Sequence, residues 1–200
     1  MPDTLLVLAS ESPRRAEILT GLGIPFTVDP PNVEEKVGVG ETAQRAASRL
    51  AAEKAAQVAA RHPQSWVLAA DTLVFLAGEI LGKPADAADA ARMLRQLSGQ
   101  EHQVVTALRL RRGADPGREL LEQSRVRIAP MDDEEVDWYV ATREPVDKAG
   151  AYAVQGLGAR FIESVSGSFT NVMGLPARGV YRLLREAPDP ALARLALASP

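Results

Sequence analysis

One acidic residue stands in the chain where an aliphatic residue is expected. Asp71 lies in the middle of the apolar run Trp66–Leu76, a pattern that predicts a strand buried on both faces. A buried carboxylate is costly unless it is paired, hydrogen-bonded or bound to a metal. Because burial beside a cation gives carboxylates catalytic acid–base chemistry, we interpret Asp71 as a candidate catalytic residue. The alternative is a bulge or strand end at which the carboxylate binds the backbone.

Two adjacent cations occupy the first turn of a predicted helix. Arg14 and Arg15 follow Pro13 there, although the helix macrodipole disfavours positive charge at a helix N-terminus. The hydroxyls of Ser10 and Ser12 lie on the preceding turn, and the first N–H groups of a helix bind anions readily. The group therefore predicts a phosphate site; the alternative is that both arginines extend into water.

Two lysines also have unusual positions. Lys54 lies four residues from both Leu50 and Val58, on the apolar stripe of a predicted helix, whereas Lys83 occupies the tight turn of Leu81-Gly82-Lys83-Pro84. The alternatives are a lysine whose stem covers the edge of the stripe and an ordinary turn lysine. Taken with the arginines and Asp71, the lysines indicate a polyanion site beside a carboxylate, which is typical of phosphoryl or nucleotidyl hydrolysis.

The sequence lacks the signatures of several other enzyme classes. It contains neither G-x-x-x-x-G-K-[ST] nor G-x-G-x-x-G after the first strand, and it contains no H-E-x-x-H. A P-loop NTPase, a dinucleotide-binding dehydrogenase and a zincin are therefore disfavoured. The two histidines, His62 and His102, do not have a metal-ligand spacing, and the absence of cysteine excludes thiol chemistry.

The elements that must position these residues alternate at first between strand and helix. A β-α-β start is predicted, followed by a long helix over Glu41–Arg61, a hairpin of Trp66–Leu76 with Glu79–Leu81, and a helix that Asp86 caps. Later segments pair locally, since two strands are predicted on either side of a polar turn at residues 111–118. The pattern predicts an α/β fold with a mixed, partly antiparallel sheet. Residues 144–176 are rich in loops, and Pro176 opens a last helix.

Composition limits the class of protein further. The 200 residues are 46% apolar and 24% charged, which fits a single domain over residues 1–187 with a weakly anchored tail over 188–200. The net charge of -3 argues against a nucleic-acid or membrane partner. We expect a cytoplasmic protein, because the N-terminus lacks a basic region and a signal core and no apolar run is long enough to span a bilayer.

Several ordered motifs together resemble the Maf family of nucleoside triphosphate pyrophosphatases. They are Leu8-Ala9-Ser10-Glu11-Ser12-Pro13-Arg14-Arg15, Ala70-Asp71-Thr72, Gly82-Lys83-Pro84, Leu97-Ser98-Gly99-Gln100-Glu101-His102-Gln103-Val104-Val105-Thr106, Asp147-Lys148-Ala149-Gly150-Ala151-Tyr152, Gln155-Gly156 and Val172-Met173-Gly174-Leu175-Pro176. The resemblance extends from Leu6 to about Leu184, and the ordered set is more specific than any single motif. It implies an elongated sheet flanked by helices, with two lobes and a cleft.

The resemblance also implies an activity. The resemblance implies hydrolysis of a nucleoside triphosphate between the α and β phosphates with a divalent cation, Mg²⁺ or Mn²⁺. It also implies a house-cleaning role, in which unwanted nucleotides are removed from the nucleotide pool. Gly150-Ala151-Tyr152 with Gln155-Gly156 is similar to the subgroup acting on dTTP and UTP. Two alternatives stay open: a non-catalytic nucleotide-binding regulator of septum formation, and a pyrophosphatase for a modified nucleotide such as 7-methyl-GTP. A homodimer is a further expectation from the family.

Residue roles follow from the same resemblance. Asp71 corresponds to the proton acceptor, while Gln155, with Arg14 and Thr72, corresponds to positions associated with substrate choice. As a hypothesis for the mechanism, Asp71 and Glu35 hold the divalent cation or its water. The predicted substrate-binding residues are Ser10, Ser12, Arg14, Arg15, Lys54, Thr72, Lys83 and Gln155. Glu11 departs from the family pattern, which has a small residue there, and it is expected to point away from the phosphates.

Overall fold

The computed structural model describes residues 5–197 and contains a mixed sheet with helices. The strands are β1 (Leu6–Ala9), β2 (Thr27–Val28), β3 (Trp66–Leu76), β4 (Glu79–Leu81), β5 (Glu101–Arg112), β6 (Arg118–Ile128) and β7 (Ile162–Ser166). The α-helices are α1 (Pro13–Gly21), α2 (Ala43–Arg61), α3 (Ala87–Leu97), α4 (Asp133–Ala141), α5 (Phe169–Val172), α6 (Ala177–Arg185) and α7 (Pro190–Leu195). Short 3₁₀ helices span Glu144–Asp147, Ala149–Ala151 and Gly156–Phe161.

The strand order confirms the predicted mixed sheet. It reads β2-β1-β3-β5-β6-β7, with β4 paired to β3. β1 pairs in parallel with both β2 and β3, whereas the β3–β4 and β6–β7 pairs are antiparallel. The parallel pairs come from the β-α-β start, because a helical crossover returns the chain in the same direction.

By its contacts, the chain divides into two compact units. The first comprises residues 1–71, 106–122 and 174–200, and the second comprises residues 72–105 and 123–173. In the first unit, small residues of α2 pack on the sheet: Ala55, Val58 and Ala59 contact Val7, Ala9, Val67 and Ala69. Alanines let the helix approach the strands closely, and this helix carries Lys54 on its buried side.

The core of the second unit contains several aromatic residues. Met93, Leu94 and Leu97 of α3 join Tyr139 of α4 in one cluster with Tyr152, Val154 and Phe161. α4 begins with a capping box, in which Asp132 and Glu135 each bond the other's backbone N–H. The predicted loop-rich stretch over 144–176 contains more helical structure than expected, since the three 3₁₀ helices and α5 fall within it beside β7.

The predicted start of α1 is confirmed, whereas that of α2 differs by two residues. Ser12 precedes α1 as its N-cap, but its side chain makes no capping hydrogen bond within the described part of the chain. α2 begins at Ala43 rather than at Glu41, because Thr42 caps it by accepting a hydrogen bond from the Arg45 N–H. Glu41 therefore lies before the helix, where its carboxylate binds Arg49.

Residues 189–197 make specific contacts in the first unit. Leu192 of α7 is fully buried, and the Asp189 carboxylate accepts a hydrogen bond of 3.0 Å from the indole N–H of Trp66. These contacts differ from the weak anchoring expected of the tail; residues 198–200 lie outside the described part of the chain. Between residues 5 and 197, none of the helices combines the length and apolar character that crossing a membrane requires.

Candidate active site

A buried lysine joins two carboxylates in the first unit. The Nζ atom of Lys54 donates to Asp71 Oδ1 and to Glu35 Oε1, each at 2.5 Å. The side chains of Lys54 and Asp71 are each 5% exposed, whereas that of Glu35 is 40% exposed. The three residues come from α2, β3 and the loop before α2, so the tertiary structure brings together groups that are far apart in sequence.

The Asp71 carboxylate is enclosed and strongly influenced by its neighbours. Burial raises the pKa of Asp71 above its ordinary value; the charges of Lys54 and Arg15 act against this rise, and the charge of Glu35 adds to it. Its Oδ1 atom accepts from Lys54, whereas the buried Oδ2 atom has no hydrogen-bond partner among residues 5–197. A carboxylate with a raised pKa and an unused oxygen can accept a proton from a reacting water.

The strand register places Asp71 just beyond the paired residues of the parallel strands β1 and β3. β1 and β3 pair in parallel up to Ala9 and Ala69, so Asp71 comes two residues after the last paired position. Ser10 follows β1 directly, at the same carboxyl-terminal end of the parallel strands. Ligands of open α/β sheets bind at this end, where side chains from neighbouring strands converge.

Arg15 and the serines form a second cluster in the same unit. The Arg15 guanidinium donates to Ser10 Oγ at 3.2 Å and, through Nε, to the carbonyl of Gly174 at 2.9 Å. Ser10 Oγ also accepts from the Ser12 N–H at 3.1 Å. Burial lowers the pKa of Arg15, although the charges of Asp71 and Glu35 act in the opposite direction. The contacts fix the turn that leads into α1 and hold a cation near Asp71.

The remaining predicted residues of this turn have different environments. Arg14 is half-buried, and its charge acts on Arg15. Two cations so close together favour an anionic ligand between or beside them. Glu11, the departure from the family pattern, is exposed to solvent.

The loop that carries Glu35 is fastened to α2 by Arg49. This arginine donates to both oxygens of Glu41, at 2.9 and 2.8 Å, and to the carbonyl of Lys36 at 2.8 Å. Glu41 Oε2 in turn accepts from the Gly38 N–H at 2.9 Å. We call these contacts the Arg49–Glu41 clamp. The clamp begins at Lys36, one residue after Glu35, so it limits how far the Glu35 carboxylate can move from Lys54.

Three predicted substrate-binding residues belong to the second unit. Thr72 follows Asp71 in β3 and is partly buried, Lys83 is exposed after β4, and Gln155 is partly buried before the 3₁₀ helix Gly156–Phe161. The turn that carries Lys83 is joined to the Gly150 motif, because the Gly150 N–H donates to the Gly82 carbonyl at 3.0 Å. The roles of these three residues stay predictions.

The conformation of Gly150 explains why the motif Gly150-Ala151-Tyr152 begins with glycine. Its φ of +71° is a left-handed conformation, and an added Cβ would lie 3.1 Å from both methyl groups of Val74. A side chain there would be strained by the backbone and crowded by β3.

Sequence reasoning named Lys54, Asp71 and Glu35 but missed the residues that hold them. The Arg49–Glu41 clamp carried no signal, because an arginine on a helix face is usually solvated. The role of Gly174 was also missed, since its carbonyl binds Arg15 through the backbone. The only signal for it was its place in the Val172–Pro176 motif.

Comparison with known proteins finds a matching family model, similar sequences and similar solved structures. A family model described as Maf-like protein matches residues 5–187. A dTTP/UTP pyrophosphatase of Anaeromyxobacter dehalogenans is 51% identical over 188 residues, covering 92% of this chain and 95% of that protein. A protein of the same name from Symbiobacterium thermophilum is 48% identical, covering 90% and 93%. Among solved structures, the Ham1 protein of Staphylococcus aureus covers 96% of this chain and 95% of its own, at 16% identity and a TM-score of 0.45.

Proposed function

Because this chain belongs to the Maf family, we propose that it hydrolyses dTTP and UTP between the α and β phosphates. The products are the nucleoside monophosphate and pyrophosphate. The observation that carries this proposal is the buried Lys54 bound to both Asp71 and Glu35. Such an arrangement holds a proton acceptor and a cation side by side, and hydrolysis of a polyanion needs both. The names of the relatives support the choice of nucleotides.

The proposed reaction is a direct displacement by water. The water oxygen bonds to the α phosphorus, the bond from that phosphorus to the bridging oxygen breaks, and the electron pair leaves with pyrophosphate. Asp71 Oδ2 takes the proton from the water, while the hydrogen bond from Lys54 to Oδ1 holds the carboxylate in place. Arg14, Lys54 and Lys83 share the charge of the leaving pyrophosphate, and Ser10, Ser12 and the start of α1 add hydrogen bonds.

A divalent cation, Mg²⁺ or Mn²⁺, belongs to this proposal. Residues 5–197 contain no cluster of three or more His, Cys, Asp or Glu side chains that could hold a metal. Mg²⁺ commonly uses only one or two carboxylates together with substrate phosphates, so the carboxylates of Glu35 and Asp71 fit that pattern. The buried Asp71 Oδ2 is not used in a hydrogen bond among the described residues, so it can accept the proton of a water that the cation would hold. When bound, the cation would neutralise the phosphates and polarise the attacked phosphorus.

Base selection is assigned to Gln155, with Arg14 and Thr72 contributing to substrate choice. Uracil and thymine present one N–H donor between two carbonyl acceptors, and a glutamine amide offers both complementary groups. An amide can also turn over to suit cytosine, so selection depends on what fixes Gln155.

Pyrophosphate release from a panel of triphosphates, with Mg²⁺ or Mn²⁺, tests the proposal. We expect turnover of dTTP and UTP, and its loss in EDTA. Asp71→Asn should keep the fold and lower kcat at least about 100-fold, because the proton acceptor is removed. Asp137→Asn is the matched control, since Asp137 is 73% exposed and pairs only loosely with Arg95.

Two results would overturn this function. Asp71→Asn turning over at the parent rate would remove Asp71 from the mechanism, and nucleotide binding without hydrolysis would favour a regulator. Hydrolysis of 7-methyl-GTP in preference to dTTP and UTP would instead change the assigned substrate. The cytoplasmic location and the homodimer stay predictions; light scattering of the purified chain tests the second.

A further inference from the structure

The loop that carries Gln155 is held on both of its sides by hydrogen bonds. On the N-terminal side, the Ala153 N–H donates to the Tyr139 hydroxyl at 3.0 Å. On the C-terminal side, the N–H groups of Leu157 and Gly158 donate to the Glu144 carboxylate at 3.0 and 2.9 Å. Each anchor therefore lies within three residues of Gln155.

The two anchoring side chains are also bonded to each other. The Tyr139 hydroxyl donates to Glu144 Oε1 at 2.8 Å while accepting from Ala153, so one continuous network spans the loop. All these groups belong to the second unit of the chain. A connected network of this kind fixes a backbone more firmly than separate hydrogen bonds do.

The anchors themselves rest on rigid structure. Tyr139 is fully buried on α4, and its ring lies 5.5 Å from that of Phe161. Glu144 begins the 3₁₀ helix that follows α4. Burial alone would raise the pKa of Glu144, but the bonds from Leu157, Gly158 and Tyr139 lower it below the ordinary value. The carboxylate is therefore kept in its ionised, accepting form.

The glycine after Gln155 fits the same arrangement. Gly156 has a φ of +78°, and an added Cβ would lie 2.6 Å from Glu144 Oε2. The loop thus passes so close to Glu144 that a side chain at this position would displace the carboxylate from Leu157 and Gly158.

We propose that Tyr139 and Glu144 are positioning residues that set nucleotide preference by fixing the loop of Gln155. The inference rests on the proposed function, in which Gln155 reads the pyrimidine edge. A glutamine amide discriminates only when its backbone is held within a few tenths of an ångström of the productive position. Because neither anchor touches the reacting phosphates in this scheme, their loss should weaken selection more than chemistry.

Steady-state kinetics of Tyr139→Phe and Glu144→Gln with dTTP, UTP, CTP and GTP test this inference. Tyr139→Phe removes only the hydroxyl, and we expect the preference for dTTP and UTP over CTP to fall about tenfold. The change should appear mainly in KM. Glu144→Gln should have a larger effect, because its amide NH₂ would face a backbone N–H donor. Two matched controls should leave the preference unchanged: Tyr181→Phe, at a partly buried tyrosine that contacts Arg178, and Glu163→Gln, in an exposed ion pair with Arg127.

Gln155→Glu, measured beside them, separates the failure of the inference from that of the proposed function. A parent enzyme with no preference for dTTP and UTP, or one whose preference survives Gln155→Glu, overturns base reading and the inference with it. If Gln155→Glu abolishes the preference but both anchor variants keep it, only the positioning role is overturned. An equal fall of kcat for all four nucleotides, with a lowered melting temperature, also overturns it, since that is a purely structural effect.

Discussion

At the scale of single residues, the site depends on how three charges are tolerated in and beside the core. Asp71 and Lys54 are each almost fully buried, and neither ion could remain there alone without a large desolvation cost. Glu35, at 40% exposure, contributes a second negative charge from the solvent side. A lone buried carboxylate would become neutral, so Lys54 keeps Asp71 able to act as a base. The lysine is therefore a structural requirement for the proposed chemistry.

Removing the charge of Lys54 should have a measurable cost. Lys54→Met keeps the apolar stem but leaves Asp71 without its main partner, and we expect a loss of about 3 kcal/mol in the free energy of unfolding. Adding Asp71→Asn should restore part of that loss, because the uncompensated buried charge is then gone. Urea unfolding of the two single variants and the double variant measures the coupling. Simple additivity of the two losses would contradict an interaction between these side chains.

At the scale of elements, α2 acts as the platform of the site. Its alanine-rich face lets the helix lie close to the parallel strands, which brings Lys54 to Asp71. Its other contacts hold the preceding loop, since Arg49 binds Glu41 and the carbonyl of Lys36. One helix thus sets the positions of Glu35 and Lys54 relative to β3.

The loop clamp predicts a specific dependence of stability on pH. The Arg49 guanidinium, followed by the Gly38 N–H, lowers the pKa of Glu41 from 4.5 to about 2. A lowered folded-state pKa stabilises the fold fully above the ordinary value and loses that effect as pH falls through the lowered value. Glu41→Gln should therefore be less stable than the parent at pH 7, and the difference should shrink between pH 4.5 and about 2.

Urea unfolding at several pH values measures this difference. Glu34→Gln is the matched control, because Glu34 pairs with Lys36 on the surface, at 72% and 78% exposure respectively. A stability difference for Glu41→Gln that is the same at every pH would contradict an ionic clamp.

At the scale of the whole molecule, the distribution of charge matters more than its total. The net charge is -3, yet Arg14, Arg15 and Lys54 are grouped near the parallel-strand end of the first unit. A polyanionic substrate would therefore meet local positive charge on a chain whose net charge is negative. The two compact units each have their own packed core. The C-terminal α7 belongs to the first of them.

The burial of α7 predicts that the chain after residue 187 contributes to stability. Leu192 is fully buried, so Leu192→Ala should lower the free energy of unfolding by about 2 kcal/mol. Leu197→Ala is the control, because Leu197 is 61% exposed, and it should change little. Thermal unfolding of both variants gives the comparison. If the two variants were equally stable, α7 would contribute little to stability, as expected of a weakly anchored tail.

Local patterns predicted most of the elements. The hairpin of β3 and β4, the capping of α3 by Asp86 and the first residue of α1 follow from short-range preferences and appear in the structure at those positions. Residues 144–176 were less predictable, because 3₁₀ helices and positive-φ glycines depend on contacts such as that of Gly150 with Val74. The start of α2 was wrong by two residues, since Thr42 rather than Glu41 controls that end.

The amino-acid sequence by itself determined which side chains were out of place: a carboxylate in an apolar strand, a lysine on an apolar stripe and two arginines at a helix start. Each can be recognised because local burial and the helix dipole make it unfavourable. Only the tertiary structure decided that Lys54 binds both Asp71 and Glu35, and that Tyr139 and Glu144 hold the loop of Gln155. Those contacts join residues that are remote in sequence or meet through backbone groups, and their partners are chosen by packing rather than by local preference.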